Sequence, residues 1–143
     1  MSPEDFDWLV VGYDKPLVDL CKSAGRSVAY HCHGNLRHAL VRFREMGVDQ
    51  LDPTETLPDG DLDLKEARNI AGDHLILAGN LQCRELFSDS VGVETIRLRV
   101  RAMIDQVGPH NVIVTTTGTP IEPLSQMTFL KYHAIIDEVV ESS

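Results

Sequence analysis

The feature that most constrains this chain is an order repeated four times: a glycine, a short apolar strand, a polar loop and an amphipathic helix. Strands are predicted at Ser27–His31, Val48–Leu51, His74–Ala78 and Asn111–Thr115, with helices at about 35–46, 63–71, 92–107 and 125–140. Gly25, Gly47, Gly72 and Gly108 each stand between a helix and the next strand, where a left-handed C-cap favours a residue without Cβ. Strands joined through helices must run parallel, with right-handed crossovers. The predicted fold class is therefore α/β, with parallel β-α repeats on four strands.

Two architectures satisfy that pattern. One is an open four-stranded parallel sheet. The other is half of a (β/α)8 barrel, which at about 250 residues needs roughly twice a chain of this length. With 143 residues the chain suits one domain. Uninterrupted apolar strands such as His74–Ala78 imply burial on both faces and fit either architecture.

Ahead of the repeats, Ser2-Pro3-Glu4-Asp5 is a helix start: a capping serine, proline at the first helical position and carboxylates in the first turn. That helix is predicted to stop near Gly12. A second is expected from about Asp14 and Pro16 to Gly25, burying Leu17, Leu20 and Cys21. Between the third and fourth strands, Arg84–Phe87 reads as a turn.

The formal charge is −9 and no basic stripe stands out, which disfavours nucleic-acid binding by phosphate neutralisation. Arg97-Leu98-Arg99-Val100-Arg101 is read as the solvated face of a helix. No apolar run reaches membrane-spanning length, and the acidic N-terminus lacks the basic and apolar regions of a signal peptide. A cytoplasmic protein with no membrane partner is the expectation. Cys21, Cys32 and Cys83 form no disulfide framework or zinc knuckle.

Four loops follow the carboxyl ends of the strands and should share one rim, the edge that carries active sites in parallel α/β folds. His31-Cys32-His33-Gly34-Asn35 is the most distinctive. Alternation puts His31 and His33 on one face and Cys32 on the other. Glu55, in Pro53-Thr54-Glu55, is the candidate third member of a His-His-Glu metal set and a candidate general base. Asn80, Thr116 and Thr117 are candidate substrate-binding residues. The plain reading is two rim histidines with ordinary hydrogen bonds, beside an acidic surface loop in which Asp61 or Asp63 caps the next helix. The run Thr115-Thr116-Thr117-Gly118-Thr119-Pro120 lacks a P-loop pattern.

Read together, the segments Ser2-Pro3-Glu4-Asp5-Phe6, Tyr13-Asp14-Lys15-Pro16, His31-Cys32-His33-Gly34-Asn35, Gly47-Val48-Asp49, Pro53-Thr54-Glu55 and Leu77-Ala78-Gly79-Asn80-Leu81 resemble the C-terminal half of the uroporphyrinogen decarboxylase superfamily. That superfamily includes zinc methyltransferases working with corrinoid proteins. The resemblance implies an incomplete, half-barrel domain over residues 1–143. In the methyltransferases a His-x-Cys pair and a later cysteine hold zinc that activates a thiol. His31 matches the histidine, His33 falls at the first cysteine's place, and the later cysteine has no counterpart in Thr115-Thr116-Thr117-Gly118.

Three functions follow as expectations. The first is a methyltransferase half with zinc on His31, His33 and Glu55, a small-molecule thiol acceptor and a corrinoid carried by a partner protein. The second is a metal-free decarboxylase of the uroporphyrinogen type, a lyase of porphyrin biosynthesis, with the rim histidines contacting a polycarboxylate. The third is a non-catalytic half-barrel that pairs with a second copy of itself or with a missing N-terminal half, because open strand edges invite association.

Overall fold

The computed structural model describes residues 1–119 and 123–142; of the threonine-rich loop, Pro120 lies outside them. The helical start is α1 (Pro3–Phe6), a π-helical stretch Asp7–Val11, and α2 (Gly12–Ser23). There follow β1 (Ala29–His31), α3 (Arg37–Met46), β2 (Gln50–Asp52), α4 (Leu64–Ala71), β3 (Ile76–Leu81), α5 (Cys83–Leu86), α6 (Val93–Val107), β4 (Val112–Thr116) and α7 (Gln126–Glu141). The strands form one sheet in the order β1-β2-β3-β4, all parallel. This is a partial barrel-like α/β fold.

The helices cover one face of the sheet. Leu51 and Leu77 pack in a core with Leu40, Phe43, Ala67 and Ala71, and Tyr30 joins it with its ring 4.3 Å from Phe43. Farther along, Leu81 and Val114 pack with Ile96, Val100 and Ile135. The opposite face is open at β1 and β4, where Ala29 and His31 are exposed and Ile113 is 42% exposed, while Ala78 of β3 is buried. Asp63 caps α4 in a full capping box with Glu66, a device worth about 1 kcal/mol.

Five expectations are corrected by tertiary contacts. The N-terminal helix does not stop at Gly12, whose φ of −60° and ψ of −33° are ordinary helix values. Its N–H donates to Asp7 O, so the helix slips by one residue and continues past Pro16. Asp7 is anchored to α3 by His38 Nε2 at 2.7 Å and Arg42 Nε at 2.8 Å, and this docking overrides the local preference to break. The apolar side of α2 is also turned over: Val18 is buried, while Leu17 and Leu20 are 60% and 66% exposed and Cys21 is exposed. Val18 faces the core under α3, while Asp14 and Lys22 of α2 bind Tyr30 and Asp49.

β3 runs farther than predicted, through Gly79 and Asn80, because its ladder with β4 continues to Leu81 opposite Thr116. Its start is trimmed, since Arg68 draws Leu75 O into a bond at 2.9 Å. The predicted turn at Arg84–Phe87 is the short helix α5. Its carbonyls at Glu85 and Leu86, together with Ser88 O, accept from the buried Lys131 Nζ of α7 at 2.6–3.1 Å. The basic run of α6 is not simply solvated. Arg97 and Arg101 bind Glu138 of α7, a carboxylate only 2% exposed.

Candidate functional site

β1 ends at His31, but its pairing with β2 goes one residue further, with Cys32 N–H donating to Asp52 O at 3.1 Å. The alternation of the strand therefore survives into the loop. Cys32 turns toward the apolar cluster under α3, while His31 and His33 stay exposed. Their rings meet edge to face, centroids 4.8 Å apart. Burial, reinforced by the nearby Glu55 carboxylate, pushes the Cys32 thiol pKa up.

Each imidazole has a carboxylate behind it. Glu55 Oε1 lies 3.0 Å from His33 Nδ1, and Glu55 Oε2 accepts the Gly34 N–H at 2.6 Å. Asp52 faces His31 across the β1–β2 register, with Oδ2 3.7 Å from Nδ1, too long for a hydrogen bond. The contact turns Nδ1 of His33 toward the Glu55 carboxylate.

The loop after β2 holds the loop after β1 by its backbone. Besides the Gly34 bond, Asp61 Oδ1 accepts Leu36 N–H at 2.8 Å and Arg37 N–H at 3.1 Å, at the start of α3. Gly60 lets the loops touch: a Cβ there would run into the Glu55 carbonyl oxygen and lie 3.2 Å from Gly34 O.

The predicted site residues thus divide. His31, His33 and Glu55 come together. Asn80 does not join them; its Nδ2 donates to Thr56 Oγ1 at 2.9 Å, and it lines a separate crevice of about 280 Å³ with Arg84, Met103 and Gln106. Thr116 ends β4, at the far edge of the sheet, and Thr117 follows it. The Thr116 hydroxyl donates to Gly118 O at 2.6 Å, and Thr117 Oγ1 accepts the Cys83 N–H at 3.4 Å. Asp52 and Asp61 are the members that sequence reasoning assigned no part in the site. Asp52 is brought in by parallel register and Asp61 by the fold of the β2–α4 loop, and spacing reports neither.

For zinc the donor set is incomplete. Both Glu55 oxygens are engaged, on His33 and on Gly34, so the carboxylate stands behind an imidazole, not beside it. Among the described residues no three His, Cys, Asp or Glu side chains are gathered as a metal-holding group, whereas a catalytic zinc takes three protein ligands.

The family model described as "Uroporphyrinogen decarboxylase (URO-D)" matches residues 1–139. No curated protein matches the chain. Among solved structures, a methyltransferase from Methanosarcina mazei superposes with a TM-score of 0.68 at 21% identity. The match covers 99% of this chain and 38% of that one, so this chain spans well under half the length of that methyltransferase. At such an identity the likeness concerns the fold. No helix among the described residues is long and apolar enough to cross a membrane.

Proposed function

The chain belongs to the uroporphyrinogen decarboxylase family, and on that premise we propose that it forms the C-terminal part of a methyltransferase site in which His33, backed by Glu55, takes the proton of a thiol acceptor. The observation that carries this reading is the 3.0 Å contact between His33 Nδ1 and Glu55, which orients the ring and leaves Nε2 to act as a base.

In the reaction, the thiol S–H proton passes to His33 Nε2 and the imidazolium is stabilised by the Glu55 carboxylate. The thiolate sulfur then bonds to the methyl carbon. The bond between that carbon and its donor breaks, its electron pair staying on the donor, which in this reading is a corrinoid carried by a partner protein. His31, with Asp52 behind it, flanks the acceptor. Zinc, if bound, would lower the pKa of the thiol, and the Nε2 atoms of His31 and His33 would hold it. A third protein ligand is lacking among the described residues, so the proton transfer is assigned to His33.

The decarboxylase reading is the weaker one on electrostatic grounds. Asp52 and Glu55 stand against the two imidazoles, and two carboxylates at this edge disfavour a polycarboxylate.

The test is methyl transfer from methylcobalamin to a small thiol, followed by loss of the methyl-corrinoid absorbance and by thioether formation. The wild-type chain should accelerate transfer over buffer. His33→Ala should lower the rate by roughly 10²-fold or more, the usual worth of a positioned base. No acceleration by the wild-type chain overturns the reading. Stoichiometric zinc, lost in both His31→Ala and His33→Ala, would move the proton transfer from imidazole to metal.

A further inference from the structure

The crevice of about 280 Å³ beside Asn80 takes no part in the His31 and His33 site, and its walls are the β2–α4 loop, α5 and α6. Its floor comes from two apolar clusters of the core. Leu64 and Met103 belong to one and Leu81 to the other, all three at most 4% exposed. Leu57 also lines it and remains 66% exposed. A cavity of about 150 Å³ is enough for benzene, so this volume admits a short branched tail together with a polar head.

The polar side is built from two ion pairs. Arg84 Nη1 holds both oxygens of Asp59 at 2.9 Å, and Arg99 Nη2 meets Glu85 Oε1 at 3.3 Å. Neither pair uses its groups fully. Arg84 bonds through Nη1 alone and Arg99 through Nη2 alone, and Glu85 Oε2 has no partner among the described residues. Glu85 also acts electrostatically on Arg84, so the three charges are neighbours. Asp63, the remaining charged residue on the wall, is committed to the cap of α4. With an acid beside each arginine, a bare anion meets repulsion as well as attraction, and a bare cation meets two guanidiniums. A molecule carrying both charges satisfies each.

We propose that this crevice binds a small zwitterion with a branched apolar tail, its carboxylate on Arg84 and Arg99, its ammonium on Glu85 and its tail over Leu64, Leu81 and Met103. The free N–H groups of a guanidinium suit a carboxylate, which they grip by a fork. The spare Glu85 oxygen accepts from the ammonium. This is a second ligand site, and it does not rest on the methyl-transfer reading.

The test titrates the chain with L-leucine by calorimetry and follows the side-chain amides of Asn80 and Gln106, both on the crevice wall, by NMR. Leucine should bind with a Kd of about 1 mM or tighter and shift both amides. N-acetylleucine keeps the carboxylate without the ammonium, and 3-methylbutylamine keeps the ammonium without the carboxylate; each should bind at least about tenfold more weakly. The Arg84 and Arg99 side chains are 56% and 59% exposed, and exposed ion pairs add little to stability, so Arg84→Gln and Arg99→Gln should fold as wild type. Each should weaken leucine about tenfold, and Glu85→Gln should narrow the gap between leucine and N-acetylleucine. No saturation up to about 20 mM, well beyond the expected Kd, overturns the proposal. So do shifts that spare both amides, equal binding of either half-charged analogue, and binding unchanged in both arginine variants. None of these readouts involves methyl transfer, so failure here is distinct from failure of the proposed chemistry.

Discussion

Glu55 holds His33 with one carboxylate oxygen at 3.0 Å and the backbone N–H of Gly34 with the other at 2.6 Å. One side chain from the loop after β2 thus fixes both the ring and the main chain of the loop after β1. Replacing it separates two roles. Glu55→Gln keeps an acceptor for Gly34 but removes the charge, and should cost about 1 kcal/mol. Glu55→Ala leaves a partly buried N–H unpaired and should cost about 2 kcal/mol, within the range for charge-assisted bonds. Urea unfolding of the two variants beside wild type reads the difference, and equal costs would mean that an uncharged acceptor for Gly34 contributes nothing.

Two glycines should respond in opposite directions. Gly60→Ala forces a Cβ into the Glu55 carbonyl and should destabilise by about 1–3 kcal/mol, loosening the clasp between the two loops. Gly12 lies inside a continuous helix, and its nearest neighbour to an added Cβ is Asp7 O at 3.7 Å. Gly12→Ala should stabilise by about 0.5–1 kcal/mol. Thermal melts of both variants check the signs.

Stability should fall in acid through Glu138. Arg101 and Arg97 hold its carboxyl below the usual range. A carboxyl depressed in the folded state adds stability above its unfolded pKa of about 4.3 and loses it as pH drops through the folded value. Below that window the α6–α7 contact should loosen first. Glu138→Gln should lower stability at neutral pH and flatten the acid limb of the stability profile; an unchanged acid limb would show that other carboxylates govern it.

The thiols should react in a fixed order. Cys21 is exposed, while Cys32 is half-buried with its pKa raised, first by desolvation and second by the Glu55 carboxylate. Near pH 8 a maleimide should modify Cys21 well before Cys32. Glu55→Gln removes the negative charge and should speed Cys32 alone, which mass spectrometry of modified peptides would register.

The sequence by itself determined the repeat of strand, loop and helix, the parallel α/β class, the placing of His31 and His33 on one face, and an aspartate cap on α4, narrowed to Asp61 or Asp63. Each of these rests on local physics: strand alternation, cap chemistry and the glycine at a helix end act over a few residues. Only the tertiary structure decided the rest. It put Asp52 opposite His31 through register and bent the β2–α4 loop so that Glu55 meets both His33 and the Gly34 N–H. It drew the N-terminal helix past Gly12 by docking Asp7 on α3, and it left the apolar side of α2 uncovered. These outcomes depend on residues tens of positions apart meeting across the sheet, and neither spacing nor periodicity encodes which strand lies beyond an edge.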